Sequence, residues 1–280
     1  MEKLKHIIQE IYSKKENRNK FTFLTGAGIS AESGIPTYRG NDGIWVKGTM
    51  FHKPEEFGTF KYFLENPREV WQYTLFRKKM FEEAQPNSSH KDIAEIEKLL
   101  GDRFHLITQN VDGLHPRSGI KNIYEIHGNY REVKCSADCE DIFPMPTILK
   151  SKDLKEDLTQ EEIENLGCPN CGSWLRPNIL WFDEYYNERT HRYFSSLRIA
   201  KRSGILFIVG TSGATNLPIA ITEKALRYGN YIVDINIEDN KFTNLLEGKK
   251  NKLIIRKKSS EALLEIKQMI KNCIENHKGF

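Results

Sequence analysis

Short, continuous apolar runs recur along the chain, and each ends in small or polar residues. They are Phe21–Leu24 before Thr25-Gly26-Ala27-Gly28, Phe104–Ile107 before Thr108-Gln109-Asn110, Ile123–Ile126 before His127-Gly128, Ile205–Val209 before Gly210-Thr211-Ser212, and Tyr231–Ile235 before Asn236. Unbroken apolar runs, as opposed to alternating ones, belong to strands covered on both faces, which is the condition of a parallel sheet. Helical periodicity over residues 88–100, 188–202 and 216–228 supplies the crossovers. The pattern predicts an α/β fold: a Rossmann-like parallel sheet with helices on both faces. The first eight residues, Met1 to Ile8, predict an amphipathic helix.

Two stretches break the alternation. Residues 41–84 are rich in aromatics and carry helical patterns such as Pro67 to Glu83; residues 131–175 hold four cysteines and a charged segment, Lys150 to Glu164. Both are read as insertions forming a smaller, discontinuous module beside the sheet. The expected division is a Rossmann-like domain made of 1–40, 85–130 and 176–280, with 41–84 as a helical insertion and 131–175 as a metal-binding insertion.

Composition narrows the functional classes. The 280 residues carry 42 basic against 38 acidic side chains, a net charge of +4. That excess is too small and too scattered to imply a nucleic-acid partner; Lys249-Lys250 and Arg256-Lys257-Lys258 read as solvated surface. No apolar run approaches the roughly 20 residues that span a bilayer, and the N-terminus lacks a secretory apolar stretch, so no membrane partner and a reducing cytoplasmic location are expected. In that setting paired cysteines point to metal ligation. Cys135-x3-Cys139 and Cys168-x2-Cys171 form two pairs 28 residues apart. Cys168-Pro169-Asn170-Cys171-Gly172 has the form of a zinc-ribbon knuckle, and four thiolates make a closed tetrahedral site without an open position, hence one structural zinc per chain. Cys273 is expected to be a buried free thiol.

Gly26-Ala27-Gly28-Ile29-Ser30-Ala31 fits the G-x-G-x-x-G/A fingerprint of dinucleotide-binding loops, with a helix start expected to face the pyrophosphate. The acidic strand end expected about 20 residues later to hold a ribose is absent. Instead the chain continues as a loop, Ser33 to Gly40. His127, at a strand end with glycine after it, is placed to act as a general base near neutral pH.

The segment Gly26 to Gly40 resembles the NAD-binding loop of sirtuins, with Tyr38 in place of the common Phe. Thr108-Gln109-Asn110-Val111-Asp112-Gly113-Leu114-His115 and His127-Gly128 are similar to two further signatures of that family, in the same order, across roughly residues 20–260. The resemblance is nearest to the class III bacterial type. It implies an NAD-dependent protein-lysine deacylase that releases nicotinamide and acyl-ADP-ribose, with acylated lysine as partner. In that chemistry the acyl oxygen displaces nicotinamide from the ribose, and His127 then takes a proton from a ribose hydroxyl. Asn110 and Asp112 join His127 as the implied catalytic set, Asn110 orienting ribose and water and Asp112 holding the carboxamide. The implied cofactor contacts are Gly26, Ala27, Gly28, Ser30, Glu32, Thr37, Tyr38, Arg39, Gln109, Asn110, Val111, Asp112, Gly210, Thr211, Ser212 and Asn236.

On the substrate side, Trp181-Phe182-Asp183-Glu184 looks like the loop that pairs with the substrate peptide, nominating Phe182 and Glu184. The family usually has glycine where Asp183 stands. A subgroup that removes acidic acyl groups places Tyr and Arg three residues apart; aligning on Trp71 puts Arg77 at the arginine position but Thr74 at the tyrosine position, with Tyr73 one residue off. Arg77 is therefore named as a substrate contact without assigning the acyl group. Asp183 and Thr74 also keep open an NAD glycohydrolase or ADP-ribosyltransferase on the same scaffold, and a non-enzymatic NAD-binding module is a third reading. His115 is read as structural; His6, His52, His90, His191 and His277 are read as surface residues.

Overall fold

In the computed structural model, the described residues are 1–15, 18–37, 57–137, 139 and 141–278. Among them, six strands form one fully parallel sheet in the order β3-β2-β1-β7-β8-β9. The strands are β1 (Lys20–Thr25), β2 (Phe104–Thr108), β3 (Ile123–Glu125), β7 (Ser203–Val209), β8 (Tyr231–Ile235) and β9 (Lys252–Ile255). All the apolar runs of the sequence therefore fall in the sheet. β7 is buried along its whole length, the reason Ile205–Val209 reads as continuously apolar and not as alternating.

Two hydrophobic layers sandwich the sheet. On one face α1 (Glu2–Ser13), α4 (Ser88–Leu100) and α11 (Ser259–Lys278) bring Leu4, Ile8, Ile93, Ile96, Leu263 and Ile266 onto Phe21, Phe23, Phe104 and Phe207. On the other, α8 (Tyr193–Arg202) and α9 (Asn216–Arg227) bring Ile199, Leu217 and Ile221 onto Leu24, Ile107, Leu206 and Ile208. Alternate residues of β1 and β7 thus feed opposite layers.

The predicted helix over 188–202 is interrupted. α7 (Glu188–His191) stops where Arg192 adopts left-handed backbone, φ 53° and ψ 37°, and α8 begins after it. A further departure lies after β1, where the expected α-helix is a 3₁₀-helix over Ala27–Ser33.

A second, antiparallel sheet has the order β5-β4-β6, from β4 (Gly128–Cys135), β5 (Ile142–Pro144) and β6 (Leu175–Ile179). It packs with α2 (Phe60–Glu65) and α3 (Pro67–Glu83) around Phe63, Val70, Trp71, Val133, Leu166, Leu175 and Trp181, a core separate from those of the large sheet. The remaining short helices are α5 (Leu114–Arg117), α6 (Gln160–Glu164), which opens on a Thr159–Glu162 capping box, and α10 (Lys241–Leu245). No helix is long and apolar enough to cross a membrane among the described residues.

Candidate active site

The strand order reverses between β1 and β7, and in such sheets the crevice outside the carboxyl ends at that switch point receives the ligand. The turns after these two strands are held together at unusually short range. Gly26 N donates to Val209 O at 3.1 Å, and Gly28 N donates to Gly210 O at 2.8 Å. A Cβ on Gly28 would lie 2.8 Å from both Cα and O of Gly210, so any side chain there would force the turns apart. The second glycine of the fingerprint therefore serves loop-to-loop closure, and its N–H, expected to face a pyrophosphate, is engaged by a carbonyl.

The segment after β2 folds across this crevice. Gln109 N donates to Thr25 O at 3.0 Å, and its side chain bridges outward: Nε2 donates to Thr211 Oγ1 at 2.8 Å, while Oε1 accepts from Thr215 Oγ1 at 3.2 Å. Asn110 Nδ2 donates to Ser30 Oγ at 3.0 Å, and Ser30 Oγ donates in turn to Asp112 Oδ2 at 2.7 Å. Asp112 Oδ1 accepts from Leu114 N at 2.9 Å. Ser30, Asn110 and Asp112 are all buried. Burial raises the Asp112 carboxyl above its ordinary range, outweighing the Leu114 and Ser30 hydrogen bonds and the fields of Arg77 and Arg117.

His90 and His115 close the floor. His90 Nε2 lies 3.4 Å from Ser30 Oγ, His115 Nε2 lies 3.0 Å from Thr25 Oγ1, and the two rings meet edge to face at 4.8 Å. Both are fully enclosed, which corrects the surface reading of His90. Helical periodicity carried the signal, since His90 stands three and four residues before Ile93 and Ala94 on the buried face of α4. Burial pushes His90 down to about 4 and His115 well below the usual imidazole value. His191, also read as surface, is buried and accepts from Asn187 N at 3.2 Å through Nδ1.

His127 joins the cluster through its backbone neighbours and both ring nitrogens. Nδ1 lies 3.0 Å from Gln109 O, and a carbonyl only accepts, so Nδ1 carries the proton. Nε2 therefore holds the lone pair and accepts from Tyr186 Oη at 2.9 Å. Burial pushes the ring down to about 4, against the opposing Gln109 hydrogen bond. It is thus a neutral base across the physiological range, not the half-protonated one that its ordinary value suggests. Gly128 has φ +79°, and a Cβ there would lie 1.8 Å from Asn178 O, so this glycine clears space for β6 behind the ring. Tyr186 and Thr215 are neighbours of the site that the sequence reading missed; only the tertiary fold brings them in.

The other nominated cofactor residues are more dispersed. Gly210 and buried Thr211 line the crevice with Gly26 and half-buried Ala27. Asn236 Nδ2 donates to Asp234 Oδ1 at 2.7 Å at the next strand end, and exposed Ser212 offers its hydroxyl nearby, its carbonyl accepting from Lys241 N. Val111 is packed in a small apolar cluster with Ile35, Phe81 and Leu114. Glu32 is exposed and accepts from Ser260 Oγ at 3.0 Å, on the α11 side. Thr37 is half-buried, while Tyr38, Arg39 and His52 lie outside the described residues.

The loop Trp181–Glu184, nominated as the substrate loop, is pinned at several points. Asp183 caps α2, its carboxylate accepting from Phe60 N at 2.7 Å and Lys61 N at 3.1 Å, which gives the residue at the usual glycine position a structural task. Glu184 turns inward: it pairs with Arg176, lies 3.5 Å from Lys134 Nζ and accepts from Trp181 N at 3.0 Å. Arg176 in turn lies over the Trp181 ring at 4.0 Å. Phe182 stays 48% exposed. Arg77 is buried at 3% exposure, contrary to an exposed helix charge; it lies 4.8 Å over the Phe81 ring with Nη1 3.5 Å from Tyr73 Oη. Thr74 Oγ1 donates to Val70 O at 2.7 Å within its own helix.

Away from the crevice, the Sγ atoms of Cys135, Cys139, Cys168 and Cys171 all lie within 4.8 Å of one another, with Cys135 and Cys171 3.5 Å apart. A tetrahedral zinc with bonds of ~2.3 Å has S···S edges of about 3.8 Å, so the donor set fits one such ion. Cys273 is a free, buried thiol on α11, as expected.

Comparison with known proteins matches this arrangement. The Sir2 family model aligns with residues 26–216. An NAD-dependent protein deacylase of Pyrococcus furiosus is 38% identical over 252 residues, covering 89% of this chain and 92% of that protein. Among solved structures, a mutant Sir2 homologue in complex with ADP-ribose superposes with a TM-score of 0.80 at 30% identity, covering 98% of both chains. A Sir2 homologue–NAD complex superposes with a TM-score of 0.78 at 32% identity, covering 98% of this chain and 95% of that one. With the family model matched over 26–216 and a relative 38% identical over most of both chains, the chain belongs to the Sir2 family.

Proposed function

We propose that the protein is an NAD-dependent protein-lysine deacylase, releasing nicotinamide and acyl-ADP-ribose. The observation that carries the reading is a cluster above the switch point: Ser30, Asn110 and Asp112 joined by hydrogen bonds, and His127 bonded to Gln109, the two sets made adjacent by the Gln109–Asn110 peptide bond. NAD, when bound, supplies a leaving group and a ribose hydroxyl that accepts the acyl group.

In this reading the chain's own residues position and move protons. Asp112 presents a carboxyl oxygen to the nicotinamide carboxamide, held in place by the Ser30 and Leu114 donors. Asn110 orients the ribose and the attacking water, and Gln109 steadies the ribose edge through its bridge between Thr211 and Thr215. His127, neutral with its lone pair at Nε2, takes the ribose hydroxyl proton. The turns at Gly26 and Gly210 form the wall beside the phosphates, and Ser212 and Asn236 the adenine side. Phe182 meets the acyl-lysine peptide, with Glu184 bracing the loop beneath it and Arg77 behind the acyl end. The four cysteines hold a structural zinc remote from these groups, and a reducing cytoplasm, where thiols stay free, suits it. We assign the crevice to the larger domain of the division into 1–40, 85–130 and 176–280 against 41–84 and 131–175, with Gly128–Tyr130 and Arg176–Ile179 extending from it into the small antiparallel sheet.

The hydrolase and transferase alternatives rested on Asp183 and Thr74. Both side chains are occupied structurally, which leaves those alternatives without a feature of their own. The test is incubation of the zinc-loaded protein with NAD and a panel of acetyl-, succinyl- and long-chain acyl-lysine peptides. Nicotinamide release that depends on peptide is expected; equal release without peptide, or none with any acyl group, overturns the assignment.

A further inference from the structure

The imidazole nitrogen that the proposed reaction needs is already taken. Tyr186 Oη donates to His127 Nε2 at 2.9 Å, and Nε2 has a single lone pair. We infer that Tyr186 is a positioning residue for His127, holding the base in its Nδ1–H tautomer and standing in for the ribose hydroxyl that displaces it. The inference rests on the assignment of His127 as the base.

The surroundings explain why this phenol stays in place. Tyr186 lies in the loop between two fixed points, the Asp183 cap on α2 and the start of α7 at Asn187. Its neighbour Tyr185 is 91% exposed, so adjacent aromatic residues take opposite directions, one to solvent and one to the base. The Tyr186 ring is stacked 6.4 Å from Tyr193 of α8 and edge-on 5.9 Å from His191 of α7. Burial raises the phenol to about 12, against a hydrogen bond with Thr215, so it remains a donor at any working pH. Thr215 also donates to Gln109 Oε1, and Gln109 O accepts from His127 Nδ1–H. Tyr186 thus holds Nε2 and Gln109 O holds Nδ1–H, while Thr215 ties down the Gln109 side chain, fixing both the tautomer and the aim of the imidazole.

Among the described residues, the groups facing His127 that carry or change charge are few. Tyr186 contacts it from the loop, and His191 acts on it from α7. Tyr193 lies behind Tyr186, and Lys134, Glu184 and Arg176 act on His191 from β4, the loop and β6. The direct partners are therefore neutral hydrogen-bonding groups. A donor at Nε2 stabilises the unprotonated ring, so its removal makes protonation easier.

Tyr186→Phe keeps the ring packing and removes only the hydroxyl. Its first measurement is an NMR titration of the His127 imidazole in the ligand-free, zinc-loaded protein. The wild-type ring is expected as the Nδ1–H tautomer with a hydrogen-bonded Nε2; in the variant the titration midpoint rises by up to about one pH unit, the equivalent of one hydrogen bond. The second is calorimetric binding of ADP-ribose, which carries the ribose hydroxyls but does not turn over. The variant is expected to bind it about 3- to 10-fold more tightly, because no hydrogen bond at Nε2 has to be given up. The gain should vanish when His127→Ala is the background, a double-mutant cycle that assigns it to this pair. Unchanged titration and unchanged affinity in Tyr186→Phe overturn the inference, as does an equal gain in the His127→Ala background. Failure of the base assignment shows separately, as deacylation that survives His127→Ala whatever Tyr186 does.

Discussion

Asp112 and Asp234 are both buried carboxylates just beyond the body of a parallel strand or at its end, yet they are held in opposite ways. Asp234, on β8, is inaccessible and fully claimed. Its oxygens accept from Asn236 and Asn240 and from Thr243 Oγ1 at 3.1 Å, and Arg256 Nη1 lies 3.2 Å away. Asp112, after β2, accepts from a serine hydroxyl and a backbone N–H, and among the described residues the cations acting on it, Arg77 and Arg117, do so through their fields. A carboxylate that has a guanidinium and several donors is a part of the scaffold. One kept on two neutral donors, with burial raising its proton affinity, retains capacity for a partner from outside.

Four measurements would break or sharpen that contrast. The largest effect is expected for His127→Ala, which should lower kcat about 1,000-fold while leaving circular dichroism and the thermal transition close to wild type. A variant with near-normal turnover would remove the cleft side of the comparison altogether. Asp234→Asn is expected to lose about 3 kcal/mol of stability in urea unfolding, because it removes the buried charge from Arg256, leaving that guanidinium to Asp239, and disturbs the Asn240 and Thr243 contacts at the start of α10, with kcat changed far less than in the histidine variant. Asp112→Asn should behave in the reverse sense: kcat/KM down about 30-fold, equivalent to about 2 kcal/mol, with stability within about 1 kcal/mol of wild type. If Asp112→Asn unfolded the protein while Asp234→Asn did not, the two carboxylates would have been assigned the wrong way round.

The smallest effect is on the pH profile. The folded His127 is depressed to about 4, so the neutral, reactive form persists from high pH down through 6.5 and is lost only as pH approaches 4. Between pH 8 and 6, kcat/KM should change by less than about two-fold on the acid side, and an acid limb centred near 6.5 would contradict the buried tautomer.

What the sequence made legible follows from burial. Strands covered on both faces, such as Ile205–Val209, announce themselves as apolar runs, and α4 matched residues 88–100 because Asn87 caps its start and Gly101 ends it. β9 did not stand out, since only four residues starting with Lys252 pair at the sheet edge and three of them are half-buried. The break at Arg192 has no glycine or proline to mark it. At the site, the Gln109–Asp112 segment and His127 could be read from motif spacing, but Tyr186 could not: 59 residues separate it from His127, and which of two adjacent tyrosines turns inward is decided by packing against α7 and α8. His90 was legible in principle through helical phase, which outranks polarity as a guide to burial when a hydrogen-bond partner is at hand, whereas His191 sits at the unmarked break and was not.

The Asp183 cap has a mechanical consequence. By clasping the first two amides of α2, this side chain couples the Trp181–Glu184 segment, the proposed acyl-lysine entrance, to the half of the molecule that carries the four cysteines. Tilting of that half would drag the entrance along as one lever, whereas a glycine at the same position would leave the two free to slip. The rigidity of the doorway is thereby set from outside the crevice, by a residue that touches neither nucleotide nor base.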